Sequence, residues 1–124
     1  NDLKGNKGPI LLIHGMFSSP VEWLSRKSAD APSLPILLAQ AGYDVWIGAW
    51  RGRASTSTHQ TLDLDDPVDK AAYWDFSYEE VGLEDYEAMI NEVIRRRDFA
   101  GGCKKVTLVA HGTGANSALV LAST

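Results

Sequence analysis

Three short apolar runs divide the chain and predict three β-strands. The runs are rich in branched residues and are apolar on both faces, as the buried strands of a parallel sheet are. They cover residues 10–13, 45–47 and 106–109. The segments between them have other periods, so the pattern predicts strands joined by long crossover connections.

Helical patterns fill most of the intervening sequence. Ser33 and Pro35 are typical of a helix start, apolar residues follow at i+3, i+4 and i+7 from position 34, and Gly42 ends the helix. A second helix is predicted over 77–99, with a break near its start, and a third pattern covers 115–122. Residues 53–69, rich in Ser, Thr and Asp, show neither period and are predicted to form a loop.

The second of these helices carries the clearest local signals. Ser77 and Glu80 have the spacing of a capping box. One face of the helix is then built from apolar and small residues at helical spacing. These residues are Gly82, Tyr86, Met89, Ile90, Val93 and Ile94.

The alternation of strands and helices predicts an α/β fold in the order β-α-β-α-β-α. Such a succession builds a parallel sheet with crossover helices, and folds of this kind bind ligands beyond the carboxyl ends of the strands. We expect residues 1–124 to form the amino-terminal part of a single domain.

Composition narrows the classes of partner. The chain has 124 residues and a formal net charge of −4, and its Lys and Arg are scattered apart from a run at 95–97 where a helix is predicted to end. We therefore expect no nucleic-acid partner. No apolar run approaches the roughly twenty residues of a membrane-spanning helix, and Cys103 is a single cysteine. We expect no cofactor and no metal. These features do not indicate the cellular compartment.

The stretch from the third strand into the last helix has the pattern of a nucleophile elbow, a tight strand-to-helix turn that exposes the central side chain. Small residues two positions before and two after the centre relieve crowding, and here these are Ala110 and Gly114. The centre is Gly112, which has no side chain and cannot form an acyl-enzyme. The sequence predicts an elbow without its nucleophile.

Two residues next to Gly112 have side chains that suggest a replacement for the missing nucleophile. Thr113 has a hydroxyl, but the residue after the centre of an elbow lends its backbone N–H and points its side chain elsewhere. His111 precedes the centre, where a histidine packs and hydrogen-bonds more often than it acts as a base. We therefore expect neither residue to replace the missing serine.

The first predicted strand ends in His14-Gly15-Met16. A His-Gly sequence at this place in lipases and esterases precedes a loop whose backbone N–H forms half of the oxyanion hole. By that interpretation the N–H groups of Met16 and Thr113 form the oxyanion hole. His-Gly alone is also compatible with a plain turn, and the elbow downstream strengthens the interpretation.

The chain resembles the acid lipases, the family of the gastric and lysosomal acid lipases, over nearly its whole length. The motifs that carry the resemblance are Ile13-His14-Gly15-Met16 with Ser18, Ser19 and Trp23; the run 37–48 ending in Gly42-Tyr43-Asp44-Val45-Trp46-Ile47-Gly48, with Arg51-Gly52; and Trp74-Asp75-Phe76-Ser77 with Asp85.

The resemblance implies an α/β-hydrolase that cleaves acylglycerols or sterol esters with a Ser-Asp-His triad, in a secreted or lysosomal setting. It also implies that the triad acid, the histidine and the lid follow the elbow beyond Thr124. The family's Gly-His-Ser-Gln-Gly reads Ala110-His111-Gly112-Thr113-Gly114 here, and its Asn-Ser before Arg-Gly reads Ala49-Trp50. We expect an inactive member of the family, a pseudoenzyme with an acyl or lipid-ester ligand; natural loss and deliberate replacement of the serine stay open.

Two other classes fit parts of the sequence. Gly112-Thr113-Gly114 after a strand approximates a dinucleotide fingerprint, although that motif belongs after the first strand and needs an acidic residue about twenty positions later. The other hypothesis is that the chain is a non-catalytic structural or lipid-binding subunit of a larger assembly. Three parallel strands leave two open edges, so we expect either a carboxyl-terminal half or a partner chain to cover them.

Overall fold

The computed structural model describes residues 7–25, 31–53, 57–98 and 105–124 of the chain. Three parallel strands form its sheet: β1 (Pro9–Ile13), β2 (Asp44–Gly48) and β3 (Thr107–Ala110). The spatial order is β2-β1-β3. The predicted strands and the parallel α/β fold are therefore confirmed, with strand ends shifted by at most one residue.

The central strand is the most deeply buried element of the sheet. Every residue of β1 is buried, and Leu12 and Ile13 have no exposed surface. Most residues of β2 and β3 are only half-buried, since each pairs with β1 on one side among the described residues. Leu11 and Ile13, on one face of β1, join a core cluster with Trp50, Val81 and Tyr86.

The first connection contains a short 3-10 helix (Pro20–Leu24) and α1 (Leu34–Gln40). Gly42 ends α1 with a φ of 94°, as predicted. The N-cap position predicted at Ser33 is confirmed. Ser33 stands at the N-cap position, but its side chain makes no capping hydrogen bond, and its buried hydroxyl has no partner among the described residues.

The second connection begins with a helix that the sequence pattern did not predict. Helix α2 (Pro67–Tyr73) starts inside the segment 53–69 that was expected to be a loop. Asp66 caps it by accepting hydrogen bonds from the N–H groups of Val68 and Asp69, at 2.8 and 3.1 Å. An acidic N-cap followed by proline is a strong start signal, and it outweighs the weak apolar period.

The predicted long helix is present in three pieces. Helix α3 (Tyr78–Glu80) continues through a π-helical segment (Val81–Tyr86) into α4 (Glu87–Asp98). The capping box is confirmed, since Glu80 accepts the Ser77 N–H at 2.7 Å. The π-helical segment is the predicted break, and position 99 lies outside the described residues. Helix α5 (Thr113–Ala122) follows β3 directly.

Candidate active site

The turn between β3 and α5 has the backbone shape of an elbow. Gly112 occupies the N-cap of α5 with φ 58° and ψ −129°, a conformation that residues with a side chain rarely adopt. The carbonyl of Gly112 accepts the Ala115 N–H at 2.9 Å, and that of His111 accepts the Gly114 N–H at 3.1 Å. The strand therefore passes into the helix through a single residue with a positive φ.

The small residue two positions after the centre is required by space. A Cβ atom on Gly114 would lie 2.6 Å from the carbonyl oxygen of His14 and 3.0 Å from the Tyr86 hydroxyl. Gly82 in the π-helical segment is similarly restricted, with a Cβ 2.4 Å from the Ser117 carbonyl oxygen. Ala110 packs half-buried against the core cluster. Close backbone packing around α5 therefore explains both glycines.

Gly112 itself faces open space. A Cβ atom there would find a single neighbour within 4 Å, the Cα atom of Gly15 at 3.8 Å. The absence of a side chain at the centre of the elbow is thus not imposed by crowding. A Cβ atom would fit at this position at the cost of a positive φ.

The loop after β1 lies against the elbow. A Cβ atom on Gly15 would be 3.1 Å from the carbonyl oxygen of His111 and 3.2 Å from its Nδ1 atom, and the His111 N–H donates to the Ile13 carbonyl at 3.1 Å. The structure therefore brings together the two segments expected to form the oxyanion hole, with Met16 half-exposed on one and Thr113 at the start of α5 on the other.

His14, the first residue after β1, is buried and contacts Trp50. Its ring has no exposed surface and stacks on Trp50 at a centroid distance of 5.2 Å. The Trp50 indole N–H donates to the His14 carbonyl at 3.1 Å, and His14 Nδ1 lies 2.9 Å from the Gly15 carbonyl. Trp50, at one of the departures from the acid lipase pattern, thus ties the end of β2 to the end of β1.

Two residues of this loop region were missed by the sequence pattern. Phe17 has a positive φ of 58° and a side chain that is 90% exposed, an unusual state for an aromatic residue. Glu22, on the 3-10 helix, accepts the Gly15 N–H at 3.2 Å and the Ser18 hydroxyl, and its Oε2 lies 3.8 Å from His111 Nδ1. No local motif indicates the exposure of Phe17 or the contacts of Glu22, because both depend on how the chain folds back on itself.

The π-helical segment supports the elbow through Tyr86. The Tyr86 hydroxyl donates to the Gly114 carbonyl at 2.6 Å, and burial, followed by the charge of Asp85, raises the pKa of that hydroxyl. Asp85 accepts the Arg51 backbone N–H at 2.8 Å and also binds the Arg51 guanidinium. The hydrogen bond to Asp85 raises the pKa of Arg51 further above its already high value. One segment thus fixes both the elbow and the end of β2.

A cleft of about 340 Å³ opens beside the end of β2. Polar and aromatic side chains line it, including those of Arg51, His59, Tyr73 and Phe76. Gly112 and Met16 are not among its lining residues. In the part of the chain that the structure describes, no three His, Cys, Asp or Glu side chains converge as metal ligands, and no helix has the length and apolarity to span a membrane.

Comparison with known proteins defines the class of protein. Residues 10–123 match the Alpha/beta hydrolase family, which is nearly the whole chain. The chain therefore belongs to the α/β-hydrolase family.

Within that family the chain is similar to lipases. It is 33% identical to lipase member M of Mus musculus over 98% of this chain and 26% of the relative. It is also 33% identical to the gastric triacylglycerol lipase of Bos taurus (97% of this chain, 28% of the relative) and to the human lysosomal acid lipase/cholesteryl ester hydrolase (90% and 25%). The resemblance to acid lipases is thus confirmed. The chain spans about a quarter of the length of these relatives.

Proposed function

We propose that this chain is the acyl-ester-binding core of a lipase-like α/β-hydrolase that binds its lipid without hydrolysing it. The observation that carries the proposal is Gly112, at the centre of a turn with the φ of an elbow and with open space where a serine side chain would stand. Without a side-chain oxygen at this point there is no nucleophile for an acyl-enzyme.

The rest of the site supports retained binding. The loop after β1 lies against the elbow, so that Met16 and Thr113 offer backbone N–H groups as an oxyanion hole for the ester carbonyl. An intact hole with no nucleophile retains a residual rate enhancement of about 10³–10⁴ over water in serine hydrolases, several orders of magnitude below the complete enzyme. We infer a site that recognises an ester and leaves it intact.

The names of the relatives suggest the ligand. One is a triacylglycerol lipase and another a cholesteryl ester hydrolase. We propose long-chain acylglycerols or sterol esters as ligands of this site. On the same likeness we propose a secreted or lysosomal setting, a role in lipid metabolism, and a triad acid and histidine among residues that follow the elbow.

The test is to restore the missing atom. Gly112→Ser in the full-length protein should produce hydrolysis of a triacylglycerol or cholesteryl ester emulsion and covalent labelling by a fluorophosphonate. Gly112→Ala, which adds the Cβ atom without the hydroxyl, should be as inactive as the unaltered protein. Mass spectrometry should place the label on position 112.

Two outcomes would contradict the proposal. Hydrolysis by the unaltered protein, with the label on Thr113, would mean that a second nucleophile operates. A folded Gly112→Ser protein that neither hydrolyses esters nor takes the label would mean that the turn does not present an active serine.

A further inference from the structure

The carboxylate of Glu22 joins the two segments that meet at the proposed site. Its Oε1 atom accepts the Gly15 N–H at 3.2 Å, and its Oε2 atom accepts the hydroxyl of Ser18. The same Oε2 atom lies 3.8 Å from Nδ1 of His111. One side chain therefore contacts the loop after β1 on both sides of Met16 and also faces the residue before Gly112.

Two residues of the loop, Met16 and Phe17, make few apolar contacts that could hold them in place. Met16 is 51% exposed, and Phe17 is 90% exposed with a positive φ. The turn is closed by one backbone hydrogen bond, from the Ser18 N–H to the Gly15 carbonyl at 3.3 Å. Since apolar burial contributes little here, the conformation of the loop depends on its polar contacts.

The Glu22 carboxylate is well suited to supply those contacts. Its side chain is 25% exposed, so it is shielded from much of the solvent that would weaken its hydrogen bonds. Hydrogen bonds from a backbone N–H or a hydroxyl to an ionised carboxylate are stronger than those between neutral groups. The 3-10 helix (Pro20–Leu24) places this carboxylate beside the loop.

We propose that Glu22 is a positioning residue that fixes the direction of the Met16 N–H toward the ester carbonyl held at Gly112. This inference rests on the proposed function. Glu22 does not touch the ester; it acts through Gly15 and Ser18. Its effect should therefore be larger on the reaction than on substrate binding, because an oxyanion hole stabilises developing charge more than the neutral carbonyl.

The kinetic test uses the full-length Gly112→Ser protein as background. Glu22→Ala should lower kcat by about tenfold to a hundredfold, less than the loss of an entire oxyanion-hole donor, with KM changed by less than about twofold. Glu22→Gln keeps an oxygen acceptor for the Gly15 N–H and should recover most of kcat. Glu22→Asp keeps the charge but shortens the reach, so it should resemble Glu22→Ala.

Ser25→Ala, an exposed position directly after the same 3-10 helix, is the matched control and should leave both constants unchanged. A rise in KM alone, or equal losses in Glu22→Gln and Glu22→Ala, would overturn the positioning role.

A second measurement separates this inference from the proposed function. Amide hydrogen exchange of Gly15 in the protein with Gly112 intact requires no activity. Glu22→Ala should accelerate that exchange at least about tenfold while Glu22→Gln does not, because the Gly15 N–H loses its acceptor only in the first variant. Unchanged exchange in Glu22→Ala would overturn the inference even if Gly112→Ser is active. If Gly112→Ser is inactive, the exchange result alone decides the role of Glu22.

Discussion

The two segments that meet at the candidate site are built by different means. The elbow after β3 is defined within its own sequence, by Gly112 at φ 58° and by two short backbone hydrogen bonds into α5. The loop after β1 depends on side chains of other elements, since Trp50 donates to the His14 carbonyl and Glu22, on the 3-10 helix, accepts from the Gly15 N–H. One is a local backbone structure, and the other is held by tertiary contacts.

This difference explains why a turn with glycine at its centre can have the backbone shape of an elbow. Its conformation requires small residues, and removal of a side chain at the centre relieves strain instead of adding it. The loop after β1 has one backbone hydrogen bond of its own, from Ser18 to Gly15, and its other contacts include Trp50 and Glu22 from neighbouring elements. Substitutions should therefore affect the elbow through space and backbone strain, and the loop through lost hydrogen bonds.

Within the elbow, the largest stability effect is expected at Gly114. Gly114→Ala places a methyl group 2.6 Å from the His14 carbonyl oxygen, a backbone atom that cannot turn away, so the free energy of unfolding should fall by about 2–3 kcal/mol. Gly112→Ala meets no such obstacle, and its positive φ should cost about 1–2 kcal/mol. Chemical denaturation of both variants measures which one loses more of the free energy of unfolding.

Asn116→Ala, on the exposed surface of the first turn of α5, is the control for this pair and should be neutral or slightly stabilising. If Gly112→Ala were the more damaging of the two glycine variants, the distinction between crowding at one position and strain at the other would be wrong.

A smaller effect is expected at Tyr86, which supports the elbow. Tyr86→Phe removes the hydrogen bond to the Gly114 carbonyl, and the free energy of unfolding should fall by about 1 kcal/mol. Burial raises the pKa of Tyr86 in the folded protein. Above about pH 10, the ordinary tyrosine pKa, the unfolded chain loses this proton first, so stability should fall as the pH rises further.

Tyr86→Phe should lack that part of the alkaline loss, which urea denaturation between pH 8 and about pH 11 will reveal. Parallel pH curves for the two proteins would show that Tyr86 does not titrate differently in the folded and unfolded states.

The smallest effect is expected on α4, away from both segments. Hydrogen bonds from Arg95 and Arg96 lower the pKa of Glu92 to about 2. A lowered pKa stabilises the folded protein above the ordinary glutamate value, and that contribution disappears as the pH falls through it toward 2. Glu92→Gln should thus be slightly less stable than the unaltered protein at pH 7 and equal to it near pH 2. Since the pair is exposed, the difference in thermal midpoint should be small, and a large one would contradict this assignment.

Local signals in the sequence predicted most of the elements. The apolar runs gave β1, β2 and β3, the capping box located the start of α3, and the small residues around Gly112 indicated a strand-to-helix turn. The apolar period is too weak to predict helix α2. Its start is indicated only by Asp66 at the N-cap followed by Pro67. A serine at the right spacing was expected to cap α1, although the hydroxyl of Ser33 turns into the protein and makes no capping hydrogen bond.

The sequence by itself determined the class of protein and the identity of the central residue of the elbow, because strand periods, small residues and the missing hydroxyl at Gly112 are properties of neighbouring positions. Only the tertiary structure decided what surrounds that residue. The contact of Glu22 with His111, the hydrogen bond from Tyr86 to Gly114, and the proximity of Gly15 to Gly112 all depend on segments far apart in the chain. Contacts of this kind leave no period or spacing in the sequence, since they arise when the sheet brings the ends of its strands together.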